Sequence, residues 1–348
     1  MSLRIGVVGT GWWATVNHIP TVQASRLGNI VAICDLDPQR LATVGDRFGV
    51  SGRYADVAAM LAAERLDGVM IATPHTAHAA PALAALQDGC HVLIEKPLAT
   101  TSADARSIVD AAQTANRQVL VPCGWNFRDY TAQAAQWVQS GQIGDIRHVV
   151  CQMASALADL FAGQPMQETA DALYRPPAST WADPARAGGY GWGQMSHSLS
   201  WVYRVTGLSP ASAFCLAGTS VTDVDYYDAA VLRMSNGATM ALSGAATVPK
   251  QCGFQMDIRI FGTEGMILFD IERERLELHR DDGVDQGFPI APGQGSYDGT
   301  LPVTRFLEIC AGQPVRNDAD AENGALVVAT LAAMYRSVQS TRQEVVDV

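Results

Sequence analysis

Little in this chain suggests a disulfide framework, a membrane span or a nucleic-acid surface. Its seven cysteines are odd in number and scattered, with no Cys-x-x-Cys pair, and most lie in apolar runs. That pattern predicts reduced, buried thiols of a cytoplasmic protein rather than bridges. No apolar stretch approaches the roughly 18 residues of a transmembrane helix. The opening residues lack the basic segment and apolar core of a secretory signal, so none is expected. Basic residues are few: 24 Lys and Arg stand against 35 Asp and Glu, a net charge of −11. Phosphate-rich partners need clustered cations, so neither nucleic acid nor an anionic membrane is an expected partner. Internal repeats and low-complexity tracts are missing as well.

What remains is an ordinary globular composition, 48% hydrophobic and 17% charged over 348 residues, enough for two domains with sizeable cores. The informative stretch is the first. Leu3 to Val8 is a short apolar run that breaks at Gly9. Gly9 and Gly11 stand in Gly-x-Gly spacing, with Ala14 at the third small position. The first glycine allows a tight turn, the second lets backbone approach a pyrophosphate, and the third small residue lets helix pack on sheet. The helix that follows offers its N-terminal N–H groups and positive dipole end to phosphates. A second apolar run, Ile30 to Cys34, ends in Asp35, where an acid can hold the two ribose hydroxyls of NAD. Asp35 would repel a 2′-phosphate and Leu36 offers no guanidinium to pair with one, which favours NAD over NADP, although Arg40 lies a turn further on. Trp12 and Trp13 either cover the dinucleotide or pack in the core.

Strand and helix patterns alternate up to Pro122. Strands are read at 67–73, 91–94 and 118–121, and helices from Asp37-Pro38, at 56–63, 75–88 and 102–115. Such repetition predicts a doubly wound parallel sheet over residues 1–122, with ligands at the carboxyl ends of its strands. After Pro122 the pattern changes, with helices at 130–139, 194–206, 303–311 and 319–340. A long strand is read at 146–156, and residues 163–193 read as loop. Strands dominate 211–280, where Asn236-Gly237 marks a hairpin. Residues 123–348 therefore predict an α+β domain on a large, open, mostly antiparallel sheet. Such sheets often hide an apolar face against a copy of themselves, so a homodimer or homotetramer through it is expected.

Glu95-Lys96-Pro97 falls where a parallel strand ends. A lysine there can hold a substrate hydroxyl and stabilise the charge left as its proton departs. The proline would fix the turn, and a cis Lys96–Pro97 bond is an expectation to check. The three residues alone fit a surface lysine ahead of a loop proline equally well. His75-x-x-His78 lacks further ligands at familiar spacing, and no metal is expected. Trp125-Asn126-Phe127-Arg128 follows the last parallel strand and is expected at the cleft. Tyr174 and Trp181 suit stacking on a sugar face. Arg128 and Arg186 fit equally well as supports for loop carbonyls.

Thr73-Pro74-His75-Thr76-Ala77-His78, then Gly89 to Ala99 around Glu95-Lys96-Pro97, resembles the Gfo/Idh/MocA family of glucose–fructose and inositol dehydrogenase relatives. With the N-terminal fingerprint and Gly188-Gly189 to His197, the resemblance spans nearly the whole chain. It implies NAD or NADP as cofactor and Lys96 with His197 as the catalytic pair, flanking a substrate carbinol. Thr73, Pro74, His75 and His78 would line the dinucleotide, with Glu95 near the nicotinamide ribose. His197, read alone, is as well explained as a structural histidine; within the resemblance it shuttles the proton, its reference pKa near 6.5 suiting either direction. Many relatives carry Asp four residues before this histidine and another three after it, where this chain has Gly193 and Ser200. Gln194 is the neutral group nearby. The usual Asn after Thr-Pro is His75. These departures weigh against an inositol dehydrogenase in particular. The expected activity is hydride exchange between NAD and a sugar, polyol or related cyclic carbinol. An NAD-dependent glycosidase working by transient oxidation and a non-catalytic sugar or NAD sensor are the alternatives.

Overall fold

A computed structural model describes residues 2–219 and 221–347. The chain divides into two units. The first comprises Met1–Pro122, Pro165–Thr180 and Gly299–Ala325, and the second Cys123–Gln164, Trp181–Asp298 and Leu326–Val348. Segments 165–180 and 299–325 thus fold with the N-terminal unit, although they follow Pro122 in sequence.

The first unit is built on six parallel strands: β1 (Leu3–Val8), β2 (Gly28–Cys34), β3 (Gly52–Tyr54), β4 (Gly68–Ile71), β5 (His91–Ile94) and β6 (Val119–Leu120). Their order, β3-β2-β1-β4-β5-β6, reverses between β1 and β4, as in a doubly wound dinucleotide fold. Val7, Ile33, Met70, Ile71, Leu93 and Ile94 are fully buried, as parallel strands covered on both faces require. The connecting helices start and stop as their residues dictate. Asp37 caps Pro38–Phe48 by accepting from the N–H groups of Gln39 and Arg40, and Gly49 ends it in the left-handed region. Thr101 caps Ser102–Ala115 through the Asp104 N–H.

The expected helix over 75–88 is a 3₁₀ turn, His75–Ala77, followed by Ala79–Gln87. From the C-terminal segment, Phe306 packs its ring on the backbone of β4 at Gly68. The Val121 N–H is taken by the Ala319 carbonyl at 2.8 Å.

The second unit carries nine strands: β7 (Ile146–Ala154), β8 (Pro210–Thr219), β9 (Asp225–Met234), β10 (Thr239–Ala245), β11 (Gln255–Gly262), β12 (Gly265–Asp270), β13 (Arg275–Arg280), β14 (Gln286–Pro289) and β15 (Glu344–Val345). They run β14-β13-β12-β11-β7-β10-β9-β8-β15, antiparallel except for the β7–β10 pair. Along β9 the side chains alternate: Asp228, Ala230, Leu232 and Met234 are buried, while Tyr227, Ala229, Val231 and Arg233 are exposed.

The buried face meets helices. Trp201 of the helix Ser196–Thr206 stacks on Phe269, centroids 4.6 Å apart, and its indole N–H reaches Thr131 Oγ1 at 2.8 Å. Tyr203 shares a 2.7 Å hydrogen bond with Thr330 on Ala321–Ser340. That helix in turn offers Ser337 Oγ to the Cys215 N–H of β8. Almost every residue of Ser196–Thr206 is buried, the signature of a helix enclosed by its domain. Among the described residues no helix is long and apolar enough to cross a membrane.

Candidate functional site

Four strand ends of the first unit line up along one edge. Val8 pairs with Cys34 and with Ile71, and Ile71 pairs with Ile94. The residues just beyond this row are Gly9, Asp35, Ala72 and Glu95. Each ties the edge together: the Gly9 N–H donates to the Cys34 carbonyl, Asp35 to Tyr54, Ala72 to Val8 and Glu95 to Ile71, at 2.8–3.1 Å. The fold thereby gathers residues from distant parts of the sequence at the carboxyl edge of the sheet, beside the point where strand order reverses. That is where open α/β sheets bind ligands.

Gly9 has φ +85°, and a Cβ there would lie 2.7 Å from the Ala72 carbonyl oxygen. The turn therefore excludes any side chain. Gly11 differs, because a Cβ there would touch no protein atom. The fold itself does not demand that glycine, which fits a position open to close approach by a pyrophosphate. Ala14 is fully buried, packing the following helix closely on the sheet. Asp35 is nearly buried and already engaged: Oδ2 accepts the Thr10 N–H at 2.8 Å and the Thr10 hydroxyl at 2.9 Å, while Oδ1 accepts the Asp37 N–H. The carboxylate fixes the glycine turn as well as ending β2. These residues fit a dinucleotide.

Arg40 lies beside Asp35, Nη1 to Oδ2 at 3.4 Å, with its guanidinium over the Tyr174 ring at 5.3 Å. Tyr174 thus departs from its expected place on a sugar face. Its segment, 165–180, belongs to the first unit, and its ring meets Arg40, the neighbour of Asp35. Trp12 and Trp13 pack against each other, centroids 5.2 Å apart, and Trp13 lies against Gly299.

Lys96 is half-buried and the Lys96–Pro97 bond is cis. Its backbone N–H donates to Glu95 Oε2 at 3.2 Å, and Glu95 Oε1 faces His18 Nε2 at 3.1 Å. His18, fully buried in the helical turn Ala14–His18, is a neighbour of Glu95 that the motifs did not flag.

His78 also departs from expectation. Its ring is buried, with Nδ1 2.7 Å from the Pro97 carbonyl and Nε2 2.9 Å from the Thr73 carbonyl. It therefore spans the two loops rather than presenting its ring to a dinucleotide. A neutral imidazole has one N–H, so both contacts are donations only if the ring is protonated. Burial nevertheless holds its pKa below the ordinary histidine range, outweighing the two carbonyls and Glu95. His75 is buried beside it, Thr73 Oγ1 donates to the Ala77 carbonyl, and Pro74 is exposed.

In the second unit His197 sits near the start of Ser196–Thr206, 5% exposed, among rings. Trp125 meets it edge-on at 5.5 Å and Tyr297 at 5.2 Å. Tyr297 lies in a stretch without sequence period, so nothing in the sequence pointed to it. Gln194, one helical turn earlier, is buried. A Cβ on Gly193 would come within 3.0–3.1 Å of the Trp181 and Phe161 rings. Aromatic surface therefore occupies the space beside Gly193, where the family resemblance would lead one to expect a carboxylate.

Two expected substrate residues are used internally. Asn126, 1% exposed, donates its Nδ2 to Ser200 Oγ at 2.8 Å and so pins the turn Gly124–Phe127 to the histidine's helix. Arg128 Nη2 donates to the Ser296 carbonyl at 3.3 Å and faces Asp298 at 3.5 Å. It supports a loop, the reading left open for it.

Comparison with known proteins agrees with this geometry. Residues 3–122 match the model of the oxidoreductase family with an NAD-binding Rossmann fold, and residues 131–268 match the GFO/IDH/MocA C-terminal domain. D-apiose dehydrogenase of Paraburkholderia graminis is 35% identical over 159 residues, covering 46% of this chain and 42% of that protein. The 1-carboxy-3-chloro-3,4-dihydroxycyclohexa-1,5-diene dehydrogenase of Comamonas testosteroni is 32% identical over 244 residues, covering 69% and 54%. The chain thus spans about half the length of these curated relatives. Levoglucosan dehydrogenase in complex with NADH shares the fold at 21% identity, with a TM-score of 0.79 and both chains fully covered. A dehydrogenase from Bordetella pertussis solved with NADH and UDP-GlcNAcA gives a TM-score of 0.78 at 23% identity, covering 100% of this chain and 98% of that one. With a family model on each of its two halves, the chain belongs to the GFO/IDH/MocA oxidoreductase family.

Proposed function

We propose that the protein is an NAD-dependent dehydrogenase or reductase acting on a carbinol carbon of a sugar, polyol or related cyclic alcohol. The observation that carries the reading is the row Gly9, Asp35, Ala72 and Glu95 at one sheet edge, with Lys96 as the next residue. Gly9, Gly11, Ala14 and Asp35 would hold the dinucleotide, with Thr73, Pro74 and Glu95 along it. When bound, NAD supplies a two-electron acceptor for the hydrogen on the carbinol carbon. The Lys96 ammonium holds the substrate oxygen and stabilises its developing charge, and the His197 imidazole takes the hydroxyl proton in oxidation and returns it in reduction. Trp181 and Gln194 are the proposed substrate contacts.

Asp35 favours NAD, because a 2′-phosphate would face its carboxylate. The test is a panel of sugars, lactones and polyols with both cofactors, read by reduced-nicotinamide absorbance. NAD-dependent turnover of at least one carbinol, with higher kcat/KM for NAD than for NADP, is expected. Release of an aglycone without net NADH would contradict it.

We also propose a homo-oligomer formed through the second unit's sheet. Its outer face exposes Tyr227, Val231 and Leu216 at 47–63% relative accessibility, a row of apolar side chains suited to a second copy. Light scattering should give a dimer or tetramer, and Val231→Glu should shift it toward monomer. A monomeric native protein would remove this proposal.

A further inference from the structure

The start of β9 buries two carboxyl groups: Asp225 and Asp228 are each 5% exposed. Asp225 is the hub of a small network. Its Oδ2 accepts the Gly191 N–H at 2.7 Å, and its Oδ1 accepts the Tyr335 hydroxyl at 2.7 Å. The Tyr335 oxygen in turn accepts the Trp192 N–H at 3.4 Å, and the Tyr335 ring stacks on Trp192, centroids 5.5 Å apart and 6° from parallel.

The glycines of this stretch are shaped to the pair. Gly189 has φ +104°, and a Cβ there would overlap Asp225 Oδ1; a Cβ on Gly191 would lie 2.6 Å from the Tyr335 oxygen. Gly191 opens the helical turn Gly191–Met195 that runs directly into Ser196–Thr206, and His197 is the second residue of that helix. The N–H groups at the head of such a turn have no carbonyl partners within it. Here a carboxylate and a phenol take two of them.

We propose that Asp225, held between Tyr335 and the Gly191 N–H, is a positioning residue that sets where the helix delivers the His197 ring. This rests on the assignment of His197 to proton transfer. Asp228 completes the device. Burial together with the neighbouring Asp225 pushes the Asp228 carboxyl well above the usual carboxylate range. Asp225 beside it accepts from the Gly191 and Tyr335 donors.

The titratable groups facing the pair are Tyr335 on the C-terminal helix, Tyr190 ahead of the glycines and Cys215 on β8. All three are neutral in the working range. Burial raises both tyrosines, helped by Asp228 at Tyr190 and by both acids at Tyr335, and the Cys215 thiol is pushed up to about 12. A carboxyl with a raised folded-state pKa stabilises the fold at low pH and loses that contribution as pH climbs from its unfolded value toward its folded one. Asp228→Asn should flatten that decline in stability.

The experiment compares Asp225→Ala, Asp225→Asn, Tyr335→Phe and His197→Ala. It reads amide hydrogen exchange over 189–197 in the NAD-loaded protein, and kcat and KM on the best carbinol of the panel. Asp225→Ala should raise exchange across 189–197 by at least tenfold and lower kcat about 10–100-fold, with KM for NAD within twofold. Asp225→Asn, whose amide oxygen still accepts one N–H, should recover most of both. Tyr335→Phe keeps the ring on Trp192 and loses only the hydroxyl, so it should show the same split at smaller size, even if Asp225→Ala does not fold. Unchanged exchange and kcat in Asp225→Ala or Tyr335→Phe, with His197→Ala inactive, would overturn the proposal and leave the His197 assignment standing. If His197→Ala retains full turnover, that assignment fails and the positioning role fails with it.

Discussion

Lys96→Met is expected to bind NAD within about twofold of the wild-type affinity and to lose 10²–10⁴ in kcat. The substitution keeps an unbranched, apolar side chain of similar reach and removes the ammonium, both its charge and its N–H donors. The turn is tied by the Lys96 N–H on Glu95 Oε2, by the Glu95 N–H on the Ile71 carbonyl and by His78 on the Pro97 carbonyl, contacts that the substitution leaves in place. What disappears is the cation that steadies negative charge on the substrate oxygen. Groups in that role contribute about 10²–10⁴ in rate, or roughly 3–5 kcal/mol of barrier. Steady-state kinetics with fluorescence titration of NAD reads both quantities. The chain has only two lysines, Lys96 and Lys250, so NAD-dependent protection of the amines from acylation gives an independent reading. Near-normal turnover in Lys96→Met would remove the lysine from the mechanism.

Gly9→Ala should fail at an earlier stage, losing at least tenfold in NAD affinity together with thermal stability. The new methyl meets two obstacles. At φ +85° an L-residue costs about 1–2 kcal/mol. The Cβ also falls 2.7–2.8 Å from the backbone of Ala72 and Thr73, which cannot swing aside as a flexible side chain would. The turn must shift, taking with it Thr10, whose N–H and hydroxyl are held by Asp35. A fall of several degrees in Tm is expected, at about 2–4 °C per kcal/mol, with loss of the stabilisation that NAD confers on the wild type. Differential scanning fluorimetry with and without NAD checks it. Gly11→Ala, where no protein atom is met, should leave the apo Tm nearly unchanged and weaken only the cofactor.

The contrast between these two glycines shows what was legible in the sequence and what was not. Gly-x-Gly spacing after an apolar run, answered by Asp35, announced the turn, because local backbone geometry and strand period are written in adjacent residues. The same holds for the Asn236-Gly237 hairpin and for the caps Asp37 and Asp56, which lie next to what they cap.

Tertiary placement was harder. Residues 165–180 carry no period, and only three-dimensional packing places Tyr174 under Arg40. Asn126 and Arg128 looked like ligands because polar groups after a strand often are; their partners Ser200, Ser296 and Asp298 lie 74 to 170 residues away. The short strands β3, β14 and β15 were missed because two to four residues carry too little pattern. Asp225, inside a strand-rich stretch, gave no hint that its carboxylate faces a glycine 34 residues earlier in the chain.

The most direct measurement of the whole account follows the hydrogen itself. A carbinol identified by the panel is deuterated at the reacting carbon and incubated with the protein and NAD, and the reduced cofactor is isolated for mass spectrometry. Deuterium on the nicotinamide ring, formed by the wild type and lost in Lys96→Met and His197→Ala, is the predicted result. Reduced cofactor without the label, or equal labelling by all three proteins, would contradict it.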